Sequence, residues 1–286
     1  MTESPSLPVE LIRRHVAEAL AEDLGSCGDL TARYFLPAEA QGRAALVARA
    51  PGVVAGLPLA EEVFRQTEAT VAFLTKAADG TKVEKNTVVA EVSGPVRALV
   101  TAERTALNYL QRLSGVATLT RRFVDEIAGT GAAILDTRKT TPGWRRLEKY
   151  AVRCGGGTNH RMGLYDAVMV KDNHLACGLT GDALRDAIRA LKGAHPGVWV
   201  EIEADTLDQV RKFLSLEGVD RILLDNMNLD DLRAAVALAG GRVPLEASGG
   251  VNLSTVRAIA ATGVDFVSVG ALTHSATALD LAMDFF

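Results

Sequence analysis

From about residue 132 onward the 286-residue chain repeats one pattern: a short apolar run, a polar or glycine-rich end, then a stretch of helical periodicity. The runs are AAILDT, DAVMVKD, VWVEIEA, RILLDN, VPLEASGG and DFVSVGALT, and most are separated by segments such as TGDALRDAIRALKGA, TLDQVRKFLSL and NLDDLRAAVALAG. Alternation of this kind demands a parallel sheet, because parallel neighbours need a long crossover and a helix supplies one. Six units fall short of the eight of a closed barrel. The expected fold is therefore α/β with an open six-stranded (β/α) barrel, and a doubly wound open sheet is the alternative.

The first third reads differently. PVELIRRHVAEALAEDL is a helix opened by Pro8, RAALVARAPGVVAG is two extended segments broken at Pro51-Gly52, and LAEEVFRQT is a short helix. Strands follow up to Val100, with turns expected at Asp79-Gly80 and Gly94-Pro95, and a helix is expected from Thr101 to about Ala128. This gives an N-terminal α+β sandwich domain over residues 1–110 and the barrel over 111–286, with the last C-terminal residues packing back on the N-terminal domain. Hydrophobic content of 48% with only 5% aromatic residues suits an aliphatic core of this type.

A net charge of −4 excludes a general nucleic-acid binder, since no global positive field exists to collect phosphates. Cys27, Cys154 and Cys177 are odd in number and lack metal-type spacing, so neither a disulfide framework nor a zinc site is expected. No run of about 18 apolar residues exists to span a membrane, and MTESPSLPVE has no apolar signal core. The expectation is a cytoplasmic protein with no membrane partner, unstructured at most over a few N-terminal residues.

In parallel α/β folds ligands collect at the C-terminal ends of the strands. Those ends supply, in order, Arg138 and Lys139; Lys171 to His174; Glu201 and Glu203; Asp225 and Asn226; Ser248 to Gly250; then Gly270 and His274. Residues 137–171 hold eight Lys or Arg against Glu148 and Asp166, a strongly cationic stretch in an acidic chain. That points to a small anionic ligand, with Arg138, Lys139, Arg161 and Lys171 able to hold a dianion and His160 beside them. ASGGVNLSTV and VGALTHSA offer small residues before helix starts, which suits a phosphate. Glu203 and Asp225 between these regions suit a metal bridged through phosphate, or a developing cation. Glu201 is expected to pair structurally with Lys171 or Arg138. A phosphate cradle, a dianion clamp and intervening carboxylates fit the joining of a phosphorylated sugar to a dicarboxylate.

ILDTRKTTPGWRRLEKYAVRCGGGTNHRMGLYDAVMVKDNH, with TAERTALNYLQRLSGVAT, ILLDN, LEASGG and VGALTHS, closely resembles the quinolinate phosphoribosyltransferase family over essentially the whole chain. The resemblance implies transfer from 5-phosphoribosyl 1-diphosphate (PRPP) to quinolinate. The products are nicotinate mononucleotide, diphosphate and CO2, and the reaction uses Mg2+ in de novo NAD synthesis. It implies a homodimer in which one N-terminal domain covers the neighbouring barrel mouth. It also implies roles: Thr137, Arg138, His160, Arg161 and Lys171 at the quinolinate, Arg104 reaching the neighbouring subunit's site, and Lys139 near the diphosphate. Glu203 and Asp225 would lie near ribose and metal, Ser248, Gly249, Gly250, Val269, Gly270 and Ala271 at the 5-phosphate, and His274 in the matching THS segment. Lys139, Lys171, Glu203 and Asp225 are the expected catalytic groups. Trp144 and Met169 depart from the family pattern but are apolar. The rival readings are a phosphoribosyltransferase-like relative associated with molybdenum, or one using nicotinate; a phosphosugar aldolase-type barrel with Lys171 as Schiff base; and a non-catalytic ligand-binding barrel.

Overall fold

The computed structural model describes residues 5–179 and 181–286. The expectation of unstructured N-terminal residues falls in part on residues 1–4, and the helical stretch TGDALRDAIRALKGA begins on residue 180, both outside the described residues. In chain order the elements are α1 (Val9–Leu24), α2 (Leu30–Phe35), β1 (Gln41–Ala48), β2 (Gly52–Val53), α3 (Leu57–Thr67), β3 (Ala72–Thr75), β4 (Lys82–Val83), β5 (Val88–Pro95) and α4 (Val96–Glu126). Then come β6 (Ala133–Leu135), α5 (Arg145–Cys154), β7 (Ala167–Val170), α6 (Asp172–Ala176), α7 (Gly181–Ala194), β8 (Trp199–Ala204) and α8 (Leu207–Leu214). The chain finishes with β9 (Arg221–Asp225), α9 (Leu229–Ala239), β10 (Leu245–Ser248), α10 (Val256–Ala260), β11 (Phe266–Ser268), α11 (Ala271–His274) and β12 (Leu281–Phe285).

These elements form two compact units. One holds the chain up to Arg121, Thr141–Gly156 and Ser275–Phe286; the other holds Arg122–Thr140 and Gly157–His274. The expected boundary at residue 110 falls inside α4, which is unbroken for 31 residues.

In the first unit an antiparallel sheet runs β12-β1-β5-β3. The C-terminal strand pairs with β1 from Ala44↔Phe285 to Ala48↔Leu281. Leu46, Val92, Phe64 and Leu99 are buried in this unit's core. Gly94-Pro95 does not turn as its dipeptide suggests: both residues pair across to Gly42 and Gln41 as the end of β5, and α4 starts at once with Val96. Pairing with β1 overrides the local turn signal. Asp79 accepts the backbone N–H groups of Gly56 and Leu57 at the start of α3 at 2.8 and 3.2 Å, and also the Tyr150 hydroxyl at 2.5 Å. Glu148 on α5, fully buried, receives Arg112 Nη2 at 2.7 Å and Thr141 N–H at 3.0 Å.

The second unit is a six-stranded parallel sheet in the order β6-β11-β10-β9-β8-β7. It is open, with β6 and β7 at its two edges. Period-two alternation buries Val200, Ile202, Ile222, Leu224, Leu245 and Val267 on one face. The other face carries Glu201 and Glu203, Arg221 and Asp225, Glu246 and Ser248, and Ser268. The segment 158–161 lies against the open side. Thr158 bridges Leu135 in parallel on β6, and Arg161 Nη1 donates to the Ala167 carbonyl at the start of β7 at 3.2 Å. A capping box at Thr206 and Gln209 starts α8, and Asn228 caps α9, so both helices begin a few residues beyond the mouths of β8 and β9. No helix among the described residues is long and apolar enough to cross a membrane.

Candidate active site

A cavity of about 350 Å³ opens on the polar face of the parallel sheet, lined by residues that include Arg138, Lys139, Arg161, Lys171, Glu203, Asp225 and Ser248. All but Arg161, which comes from the segment 158–161, lie at or just beyond the C-terminal end of a strand, so the fold brings together residues scattered over more than a hundred positions of sequence. A smaller cleft in the first unit is lined by Glu18, Glu22 and Asp23 and would repel an anion.

The cationic side is built first. Thr137, Arg138 and Lys139 leave β6, with the Lys139 N–H held by the Thr137 hydroxyl at 3.0 Å. Arg161 is 8% exposed, and burial followed by the positive charge of Arg138 lowers its pKa from the ordinary value. Two guanidinium groups are therefore close enough to repel one another. Arg138 Nε is buried with no hydrogen-bond partner among the described residues. A buried donor costs free energy until something accepts from it, and between two like charges that something is an anion.

Acidic groups line the same cavity. Lys171 Nζ lies 3.7 Å from Glu203 Oε2. Glu203 has its pKa raised, chiefly by burial and then by the charges of Asp225, Asp172 and Asp205, with Lys171 opposing. Carboxylate oxygens of Glu203, Asp205 and Asp225 all lie within 4.8 Å of one another. Three crowded carboxylates and one lysine leave a surplus of negative charge, which suits a cation.

The last two strand ends are shaped by glycine. Gly249 has φ of +101°, and a Cβ there would collide with the Asn226 carboxamide. Asn226 itself sits at φ of +54° and donates its N–H to the Ser248 carbonyl at 2.9 Å. At Gly270 a Cβ would stand 3.1 Å from both Lys139 Cδ and His274 Nε2. Only a residue without a side chain lets the lysine and histidine approach that backbone. The Thr273 hydroxyl closes the same corner by donating to the Lys139 carbonyl at 2.7 Å. Val269 is buried and Ala271 half-buried beside Gly270, whereas Gly250 is exposed at φ of +61°.

Beneath these groups lies a buried layer whose pairing sequence reasoning missed. His160 Nε2 is 2.9 Å from Glu201 Oε2 and 3.4 Å from Glu246 Oε2. Its Nδ1 accepts the Arg161 backbone N–H at 2.7 Å, and the His160 backbone N–H donates to Asp136 Oδ1 at 2.8 Å. Burial alone would lower the His160 pKa, but the hydrogen bonds and charges of Glu246 and Glu201 outweigh it and raise the ring to about 9. The Arg161 N–H aimed at Nδ1 works against a second proton, so Nε2 is the nitrogen that holds one. Burial and the nearby Glu246 charge push Glu201 up, while His160 and Ser268 hold Glu246 down against its own burial.

Two expectations change here. Glu201 pairs with His160 and with neither Lys171 nor Arg138, because it sits one layer deeper on β8 than Glu203, and Lys171 meets Glu203 instead. His160 lines the cavity, as expected of a substrate-binding residue, yet both its ring nitrogens are engaged by protein groups. Glu246, Ser268 and Arg221 were not singled out from sequence. The available signal was period two: they lie two or four residues before, and on the same face as, the strand-end groups Ser248, Gly270 and Asp225.

Residues 116–284 match the model of the quinolinate phosphoribosyl transferase C-terminal domain, and residues 29–114 match that of the N-terminal domain. The chain belongs to the quinolinate phosphoribosyltransferase family. It is 41% identical to quinolinate phosphoribosyltransferase (decarboxylating) 2, mitochondrial, of Nicotiana glauca, over 98% of this chain and 83% of that protein. It is also 41% identical to the chloroplastic carboxylating nicotinate-nucleotide pyrophosphorylase of Arabidopsis thaliana, over 98% of this chain and 84% of that one. The solved nicotinate-nucleotide pyrophosphorylase of Francisella tularensis superposes with a TM-score of 0.92 at 38% identity, over 100% of both chains. An open six-stranded β/α barrel following an α+β domain is thus the fold of a quinolinate phosphoribosyltransferase.

Proposed function

We propose that this chain transfers the phosphoribosyl group of PRPP to quinolinate with decarboxylation, yielding nicotinate mononucleotide, diphosphate and CO2 in de novo NAD biosynthesis. The observation that carries the reading is one cavity with two sides. Arg138 and Arg161 stand together with a buried donor unmet, and Glu203 and Asp225 line the same cavity with Asp205 beside them. A pyridine dicarboxylate is a planar dianion and matches the arginine side. A ribosyl carbon losing diphosphate becomes cationic and matches the carboxylate side.

Arg138, Arg161 and Lys171, with Thr137, hold the quinolinate carboxylates and aim the ring nitrogen at the ribose carbon. Diphosphate leaves beside Lys139, and Glu203 and Asp225 stabilise the positive charge that develops on the sugar. After the nitrogen attacks, the ring is cationic there. It takes up the electrons of the adjacent carboxylate as CO2 departs, and a proton then fills that position. Ser248, Gly249 and Gly250 together with Val269, Gly270 and Ala271 receive the 5-phosphate, and His274 lies beside them. An all-oxygen donor set fits Mg2+, which Glu203 and Asp225 would hold directly or through substrate and water. Bound there, Mg2+ would neutralise diphosphate charge. In a cytoplasmic homodimer Arg104, exposed on α4, serves the neighbouring subunit's cavity.

Incubating the purified chain with PRPP and Mg2+ and either quinolinate or nicotinate tests this. CO2 and nicotinate mononucleotide should appear one for one from quinolinate, and nicotinate should give far less product. Turnover of nicotinate alone, or of neither, overturns the reading.

Gly249→Ala tests the phosphate side. The new Cβ must displace Asn226 and hold a left-handed φ, at a cost of about 1–3 kcal/mol. KM for PRPP should rise about tenfold, since roughly 1.4 kcal/mol is a factor of ten, while KM for quinolinate stays unchanged in two-substrate kinetics.

A further inference from the structure

Glu246 has no part in the reaction just described, yet it lines the cavity with both carboxylate oxygens engaged. Its Oε2 accepts Arg221 Nη1 at 2.7 Å and lies 3.4 Å from His160 Nε2, and its Oε1 accepts the Ser268 hydroxyl. Arg221 lies over two rings, its guanidinium carbon 4.9 Å from the centroid of Trp199 and 4.0 Å from that of Phe266. An arginine stacked on two rings has little freedom to follow a moving carboxylate, so Glu246 is a fixed point.

What it fixes is a segment the sheet holds only at its edge. Residues 158–161 make one bridge to the edge of β6, and side-chain bonds tie Asn159 and His160 to Asp136 and Glu201. The imidazole is gripped from both ends: Glu201 and Glu246 at Nε2, the Arg161 N–H at Nδ1. Turning the ring would break both grips, and the backbone of Arg161 would lose its acceptor.

We propose that Glu246 is a positioning residue for the dicarboxylate half of the reaction: held by Arg221 and Ser268, it fixes His160 and thereby sets where the Arg161 guanidinium stands. The inference rests on reading the cavity as the quinolinate and PRPP site. Both Glu246 oxygens already accept hydrogen bonds, so Glu246 acts through its neighbours. The consequence is one-sided, because the chain of contacts leads to Arg161 and not to the glycine turns.

The test uses the full chain and the variants Glu246→Gln, Glu246→Ala, Ser268→Ala, His160→Ala and the His160→Ala/Glu246→Gln double. For each, both KM values, kcat, the thermal midpoint and quinolinate binding by direct titration are measured. Glu246→Ala should raise quinolinate KM and Kd about tenfold, a loss typical of a slightly misplaced binding group, with PRPP KM within about twofold. Glu246→Gln keeps an acceptor for Arg221 and should recover most of that loss, and Ser268→Ala should shift the same constants weakly. The double variant should be no worse than His160→Ala. If Glu246→Ala fails to fold, the Gln and Ser268 variants still decide. Equal rises in both KM values, a fall in kcat with both unchanged, or multiplying effects in the double variant would overturn the inference while the wild type remains active on quinolinate. A wild type that neither binds nor converts quinolinate overturns the functional reading, and this inference with it.

Discussion

Arg138→Ala lowers kcat/KM for quinolinate by about a hundredfold or more, while KM for PRPP stays within about twofold. The expected size follows from the geometry. The Arg138 guanidinium has a buried Nε with no partner and a like charge beside it, so most of its hydrogen-bonding capacity is held in reserve for a ligand. A charge-assisted hydrogen bond is worth about 1.5–3 kcal/mol, and a fork can make two. Removing it also relieves the repulsion felt by Arg161, which offsets part of the loss and argues against an effect of many more orders. Arg138→Lys separates charge from shape. A lysine keeps the charge but not the planar fork, so it should recover the electrostatic part and leave a residual loss of about tenfold. Two-substrate steady-state kinetics distinguish these outcomes, and equal losses against both substrates would show that Arg138 holds the loop rather than the ligand.

The alternation of strands and helices was legible because its physical cause is local: period-two runs and 3.6-residue stretches are written in consecutive residues. The strand-end groups were legible for the same reason, since Arg138, Lys171, Asp225 and Ser248 each follow directly on an apolar run. What escaped depends on register. Arg221 and Glu246 are 25 positions apart and meet because β9 and β10 are neighbours paired Leu223↔Glu246, one pleat from Arg221. The place of 158–161 depends on knowing that β6 and β7 are the edges of the sheet. Gly94-Pro95 failed in the opposite way: the dipeptide is a fair turn signal, and it lost to β1, whose backbone groups needed partners. Glu201 shows both effects. Alternation correctly put it on the face of Glu203, but its depth, and hence its partner, came from the buried histidine that the 158–161 segment delivers.

Glu203→Gln lowers kcat by about a hundredfold to a thousandfold, the range seen when one preorganised group aimed at developing charge is removed. Its effect on quinolinate KM should have the opposite sense. Glu203 is the ion-pair partner of Lys171 at 3.7 Å, so it competes with a quinolinate carboxylate for that lysine. Neutralising Glu203 releases Lys171 to the substrate, and quinolinate should bind as well as before or better while turning over more slowly. Asp225→Asn should show the kcat loss without the gain in binding, because no ion pair links Asp225 to Lys171 among the described residues. At an effective dielectric of about 20, a unit charge about 4 Å from a carboxylate is stabilised by about 4 kcal/mol. A half-developed charge would then gain about 2 kcal/mol, or roughly thirtyfold in rate, so the larger loss expected for each variant requires the carboxylates to act on the metal and diphosphate as well. Raising Mg2+ should therefore restore part of the activity of either variant. Failure of Mg2+ to do so, with kcat loss confined to about thirtyfold, would assign both carboxylates to the sugar carbon alone.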